Sequence, residues 1–332
     1  MTPFSLHAAR TSDQAMALLA EHPGAALLAG GTTLLDLMKL DVLAPEVVID
    51  IRRLDLASIA RHGDGWRVGA LARNSDFAHD PEIAARCPVL SQAILLGASA
   101  QLRNMATVGG NLLQRTRCPY FRDVRYEACN KRRPGSGCAA LTGATRMHAV
   151  LGTSSQCIAT HPGDMAVALA ALDAAVLVRG PEGERSVPFT EFNIAPGDTP
   201  ERETVLGPGE LIVALDIPDL PFAAYSKYRK VRDRASYEFA LVSCAVALDV
   251  QGGVVRQARI ALGGVATRPW RCRSAEAVLR RAEAGPDTFA AAAEAALEGA
   301  VTRPDNAFKV PLAKRALART LAEVAEMAEA QA

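Results

Sequence analysis

Apolar positions along this chain recur with a period near two in some stretches and near 3.6 in others, and the switches between the two divide it into elements. Residues 3–6 read as a short strand, and Ser12 opens a helix over 12–19 as its own N-cap. Residues 26–29 form a short buried strand that runs into Gly30-Gly31-Thr32-Thr33, with helical character over 34–39 and a strand over 47–51. A second unit follows: a strand over 66–70, a short helix from 74 capped by Asn74 or Ser75, and a helix over 88–101 packed through Leu90, Ile94 and Leu95. Residues 147–151 and 174–178 read as strands around an alanine-rich helix over 164–172, with Asp164 as its cap. The segment 187–209 is loop-rich, 211–218 is a strand, and 218–221 marks a boundary. Alternation over 243–248 and 258–262 predicts a sheet joined by a turn at Gln251-Gly252-Gly253, and helices over 274–283, 287–299 and 311–330 close the chain.

One stretch fits neither period. From Thr107 to Cys157 the chain is polar, basic and glycine-rich, which excludes it from a core, and it holds four of the seven cysteines. Between Arg115 and Arg133 lie seven cations (Arg115, Arg117, Arg122, Arg125, Lys131, Arg132, Arg133) against Asp123 and Glu127. Each alone reads as a solvated side chain; together, beside a glycine pair, they suit a pyrophosphate or an anionic cluster. Cys118, Cys129, Cys138 and Cys157 are separated by 10, 8 and 18 residues, none of which matches the close ligand pairs of structural zinc. Four isolated thiols on one loop leave two readings open, an iron–sulfur cluster or unpaired structural thiols. The strand–Gly30-Gly31–helix order presents backbone N–H groups as an anion site would, or is simply a tight turn. Neither glycine pair has the spacing of a dinucleotide fingerprint or a P-loop.

Composition narrows the classes further. A net charge of +1 and 5% aromatics give no field or stacking platform for nucleic acid. No apolar run approaches the roughly 20 residues of a membrane span. The start of the chain lacks the apolar region of a secretory signal, so the expected compartment is the cytoplasm, or the periplasm if a partner's signal carries the chain there. His148 and His161 have no evident acid–base partner and read as structural or cluster-adjacent; Cys87, Cys244 and Cys272 read as small buried hydrophobes.

Ala29-Gly30-Gly31-Thr32 with Leu34 and Met38-Lys39, followed by Ala106-Thr107-Val108-Gly109-Gly110-Asn111-Leu112, resembles the FAD-binding subunit of the molybdenum hydroxylase family, which includes xanthine and carbon monoxide dehydrogenases. The resemblance covers essentially the whole chain. The cysteine-bearing insert is similar to a narrower branch, the FAD subunit of periplasmic aldehyde oxidoreductases, which carries an extra [4Fe-4S] cluster.

The resemblance implies an α+β chain with the two-subdomain FAD-binding fold of the PCMH type, shared with vanillyl-alcohol oxidase relatives. The subdomains would be 1–55 and 56–222, the latter with the insert 115–157, followed by a C-terminal sheet-and-helix domain over 223–332. It implies that Leu28, Ala29, Gly30, Gly31, Thr32, Thr33 and Leu34 hold the FAD pyrophosphate through backbone N–H groups. Ala106, Thr107, Gly109, Gly110 and Asn111 would approach the phosphates from the other side, with Gln114, Arg115 and Thr116 as further contacts. Asp123 would sit near the ribityl chain or ring, Ile212 would pack on the ring, and Lys230 would stabilise the reduced flavin. Cys118, Cys129, Cys138 and Cys157 would ligate the [4Fe-4S] cluster. No catalytic acid or base is implied. The chain would work beside a large subunit with the molybdenum cofactor and a small subunit with [2Fe-2S] clusters, in a heterotrimer or its dimer, passing electrons to an external acceptor. The competing readings are a stand-alone flavin oxidoreductase of the same fold and a zinc or nucleic-acid module built on the cysteines.

Overall fold

The computed structural model describes residues 1–330. Strands β1 (Ser5–Ala8), β2 (Ala26–Leu28) and β3 (Val47–Asp50) form a parallel sheet in the order β1-β3-β2. Parallel neighbours need crossovers, and the helices Ser12–Glu21 and Leu34–Lys39 supply them. The first is capped one residue earlier than the sequence suggested: Thr11 Oγ1 accepts from Gln14 N at 3.1 Å.

The second sheet is antiparallel. It contains β4 (Ile59–His62), β5 (Gly65–Gly69), β6 (Ala175–Gly180), β7 (Gly183–Pro188) and β8 (Leu211–Ile217) in the order β4-β5-β8-β6-β7. Both edge strands escaped the sequence reading, β7 lying between the expected turn at Gly180-Pro181 and the loop-rich segment from 187. Only Val187 of β7 is buried, so there is no apolar alternation to detect.

Three further expectations are corrected. The helix over 88–101 is two helices, Pro88–Leu96 and Ala100–Arg103, because Gly97 is extended and Ala98 is left-handed at φ 50°. Ser99 then caps the second piece, its hydroxyl accepting from Leu102 N at 3.3 Å. The helix Asn74–Ala78 has Arg73 at its N-cap, without a side-chain cap bond. The strand over 147–151 is absent apart from one bridge from Leu151 to Ala266.

The third sheet is built from β9 (Ser226–Val231), β10 (Val242–Gln251), β11 (Val254–Gly263) and β12 (Trp270–Arg271), all antiparallel, in the order β12-β11-β10-β9. Its hairpin turns at Gly252 (φ 57°) and Gly253 (φ 74°), the two left-handed residues of a type I′ turn. One face is covered by the helices Arg273–Leu279, Pro286–Ala296 and Lys309–Glu329, whose Ala292, Leu317, Leu321 and Val324 share a core with Val246, Leu248 and Ile260. The other face meets the helix Asp164–Ala171, in which every residue from Met165 onward is buried.

That helix joins two sheets in one core, with Val176 and Leu215 on one side and Ala245 and Ala261 on the other. Its alanine content is therefore a packing requirement, since small side chains let both sheets approach. Gly263 marks the tightest approach: a Cβ there would overlap Val167 Cγ2 and Ser243 Oγ. Replacing Gly263 by alanine is expected to lower stability by about 1–3 kcal/mol through overpacking. Urea unfolding with an unchanged slope and a lower midpoint is the expected result; a midpoint equal to the parent's contradicts this account of the junction.

Candidate cofactor site

A cleft of about 430 Å³ lies where all three sheets meet. Thr32, Thr33 and Asp36 line it from the first unit, Asn74, Ala106 and Asn111 from the second, and Lys230, Tyr237 and Phe239 from the third.

The first glycine loop forms one wall. Gly31 is left-handed at φ 73°, and the helix Leu34–Lys39 begins directly after the loop. Among the described residues, the N–H groups of Gly30, Gly31, Thr32, Thr33 and Leu34 have no backbone acceptor. Five consecutive free donors on a curved backbone form a nest of the kind that binds anions. Gly30 is fixed by packing, because a Cβ there would overlap the carbonyl of Met105. The first glycine loop thus packs directly against the start of the second motif.

The second motif works differently from the first. Val108 N and Gly109 N donate to Ala72 O (2.9 Å) and Ala70 O (2.8 Å), and Gly110 N donates to Thr107 Oγ1 (3.3 Å). Its donors are therefore spent within the chain, on the segment that follows β5 and on Thr107. Thr107 and Gly109 point inward, while Gly110 and Asn111 face the cleft. Gln114 also reaches it, its amide donating to Asn111 Oδ1 at 3.0 Å. Leu28, Ala29, Gly30, Gly31 and Leu34 do not line the cleft; the loop reaches it through Thr32 and Thr33.

Other expected contacts lie elsewhere. Asp123 is held by Arg125 (Nη2–Oδ2 2.6 Å), whose guanidinium brings its pKa down to about 2, and it does not line the cleft. Ile212 is 4% exposed inside the core with Leu215 and Val176. Arg115 pairs with Glu203, and Thr116 donates to Thr160 O at 2.9 Å, so neither reaches the cleft.

Lys230 does reach it, in company the sequence did not announce. Its Nζ donates to Asp164 Oδ2 at 2.8 Å and to Leu96 O at 3.1 Å; Tyr228 OH donates to Asp164 Oδ1 at 2.7 Å. Asp164 is therefore not the helix cap, which is Gly163, but the counter-ion of a buried lysine. Burial, with the Asp164 charge beside it, holds the Tyr228 phenol well above its usual range, so it remains a donor. Asn74, read as a cap, is 3% exposed, lines the cleft, and its Oδ1 has no partner. No local pattern separates these two residues from ordinary caps.

The cysteine loop packs beside the cleft. Cys129 and Cys138 form a backbone bridge, and all seven cysteines are free thiols. Burial pushes the Cys118 thiol up to about 12, and charge on Cys129 or Cys157 would oppose its ionisation further. Burial raises Cys157 as well, with Cys138 and Cys129 acting on it in the same way. Among the described residues no three His, Cys, Asp or Glu side chains gather as a single metal ion would need.

Most of the basic run is consumed internally. Arg117 and Arg122 both bind Asp36 (3.0 and 2.9 Å), Lys131 and Arg115 bind Glu203, and Arg132 donates to the carbonyls of Tyr120, Phe121, Asp123 and Tyr126. His148 Nε2 lies 3.2 Å from Cys118 Sγ, and His161 Nε2 is buried without a partner.

A free-donor nest, an orphaned acceptor and a buried lysine on one elongated cleft are the features of a flavin-nucleotide site, and comparison with known proteins agrees. The family described as "FAD binding domain in molybdopterin dehydrogenase" matches residues 2–220, and "CO dehydrogenase flavoprotein C-terminal domain" matches 226–324. The chain belongs to this family of FAD-binding oxidoreductase subunits. It is 51% identical to the aldehyde oxidoreductase FAD-binding subunit PaoB of Escherichia coli K12, over 97% of this chain and 98% of that one. It is 29% identical to the carbon monoxide dehydrogenase medium chain of Hydrogenophaga pseudoflava, over 96% of each. Among solved structures, quinoline 2-oxidoreductase from Pseudomonas putida 86 superposes with a TM-score of 0.76 at 27% identity, over 98% of each chain.

Because Gly30 has no room for a side chain, Gly30→Ala is expected to part the two glycine loops. FAD retention through gel filtration should fall at least tenfold while the far-ultraviolet circular dichroism stays that of the parent. Full retention of FAD would show that the contact with Met105 is not needed to form the site.

Proposed function

We propose that this chain is the FAD-carrying electron-transfer subunit of a molybdenum-dependent aldehyde oxidoreductase, and that it also holds a [4Fe-4S] cluster on Cys118, Cys129, Cys138 and Cys157. The observation that carries the reading is the adjacency of the cleft to one loop bearing four free thiols. The relative at 51% identity is named an aldehyde oxidoreductase subunit, which supports the substrate class. Names such as "medium chain" support assembly with a larger molybdenum-cofactor subunit and a smaller [2Fe-2S] subunit. The three sheets support the division at about 55 and 222.

FAD supplies the exchange of electrons between single-electron clusters and an external acceptor. The chain supplies its environment. The N–H groups of Gly30, Gly31, Thr32, Thr33 and Leu34 would hold the phosphates. Gly110, Asn111 and Gln114 face them, and Asn74 Oδ1 offers an acceptor for a hydroxyl. Lys230 places a fixed cation in the cleft, and Asp164 keeps it there. For the cluster, four soft sulfur donors are the right chemistry, and their wide spacing along the loop suits a group whose metal corners lie apart better than a single ion. A buried His161 N–H without an acceptor lies in the same region.

Iron, sulfide and flavin per chain of the purified complex test both cofactors at once. About four irons and one FAD are expected, with iron lost and flavin kept in Cys129→Ser. Flavin without iron removes the cluster from the reading and leaves the family intact.

The flavin environment has its own test. Asp164→Asn should loosen Lys230 and shift the flavin midpoint potential and its pH dependence, with little change in FAD content. A potential and pH profile identical to the parent's would leave Asp164 a purely structural role.

A further inference from the structure

The charges that line the flavin cleft do not balance. Five cations and three carboxylates face it. Asp36 is shared by Arg117 and Arg122, Asp164 holds Lys230, and Glu238 lies 3.5 Å from Arg234. Every carboxylate of the lining is thus engaged, and two positive charges are left over. The fifth cation, Arg103, has no carboxylate partner among the described residues. Its Nη1 donates to Gly97 O at 2.7 Å, which leaves the other donors of the guanidinium unused. Burial lowers its pKa, and no neighbouring charge raises it again.

The break after the helix Pro88–Leu96 is what brings Arg103 to the cleft. Ala98 is left-handed at φ 50°, a conformation that a residue with a Cβ adopts at a cost. The chain reverses there, Ser99 caps the helix Ala100–Arg103, and Arg103 folds back onto the Gly97 carbonyl. Gly97, Ala98, Leu102 and Arg103 all line the cleft as a result. Two residues further on, the Met105 carbonyl occupies the space that a Cβ of Gly30 would need. Arg103 therefore belongs to the segment packed against the first glycine loop, whereas Lys230 comes from the third sheet.

We infer that Arg103 is the cationic contact of the FAD pyrophosphate, supplying the charge that the N–H groups of the first glycine loop cannot. This rests on the reading of the cleft as the FAD site. The pyrophosphate of FAD carries two negative charges, which matches the two positive charges left over in the lining. Backbone donors contribute partial charge only, while a guanidinium offers a full charge and a planar fork of donors suited to phosphate oxygens. Without an anion beside it, a half-buried guanidinium is desolvated and unpaired, which costs stability. Arg103 acts on cofactor affinity, and no electron-transfer step runs through it.

The test uses the intact complex carrying the parent chain, Arg103→Gln or Arg103→Lys. Release of FAD on dilution is followed by its fluorescence, at low and at high salt. Arg103→Gln is expected to release FAD at least tenfold faster at low salt, with a smaller gap at high salt, because an ionic contact is screened. Arg103→Lys should fall between the two, since it keeps the charge and loses the fork. The flavin midpoint potential should stay that of the parent. Release equal to the parent's at low salt overturns the inference and leaves the FAD reading intact. A shifted potential with unchanged release would put Arg103 beside the ring, which overturns it as well. A parent complex without FAD overturns the FAD reading and this inference with it.

Thermal unfolding separates charge from scaffolding. In the flavin-free complex, Arg103→Gln should leave Tm unchanged or raise it, and the rise in Tm on adding FAD should be smaller than in the parent. An equal fall in Tm with and without FAD would mean that the arginine merely ties down the Gly97 carbonyl, and would sink the proposal.

Discussion

The buried ion pair between Asp164 and Lys230 ties two of the three units that line the cleft to the helix they share. Lys230 belongs to β9 of the third sheet, Asp164 begins the helix shared by two sheets, and Leu96 O, the lysine's other acceptor, ends a helix of the second unit. A buried pair recovers its desolvation cost only when each partner is otherwise satisfied. Here the second carboxylate oxygen, Oδ1, accepts from Tyr228, and the ammonium also donates to Leu96 O. Even so, replacing the pair by apolar side chains need not cost stability. Its retention makes better sense as placement of a charge: the ammonium is 1% exposed yet lines the cleft.

Much of this architecture was legible in the sequence, for identifiable reasons. The core strands, the Gly252-Gly253 hairpin and the alanine-rich helix each carry a local signal, because burial on one face imposes a period and a type I′ turn demands glycine. Edge strands β4 and β7 carry none, since most of their side chains face water. The break at Gly97–Ala98 was hidden because the apolar positions continue through it and only the backbone reverses.

The site shows the same division. The glycine motifs announced a cofactor loop, but which of them keeps its donors free depends on Ala70 and Ala72, just past β5, lying behind Val108 and Gly109. Asp164 and Asn74 both read as caps because, locally, an acid or an amide at a helix start is usually that. The partners of Asp164 come from 64 and more residues away, and Asn74 Oδ1 has none among the described residues. Asp123 illustrates the converse: a position next to a motif does not place a side chain in the cleft when a neighbour two residues on, Arg125, captures it first.

Asp36 explains why the cysteine loop and the flavin cleft belong to one structure. It sits in the helix Leu34–Lys39, directly after the free-donor loop, and accepts from both Arg117 and Arg122 on either side of Cys118. Partial burial alone would raise its pKa, but the two guanidinium groups outweigh that and lower it, so it stays charged across the neutral range. Two cations converging on one carboxylate fix the angle between the helix and the loop more strictly than a single pair could. Anything that orders the cysteine loop therefore steadies the first glycine loop as well. The arginines flanking Cys118 thus join the loop to the helix that follows the first glycine loop.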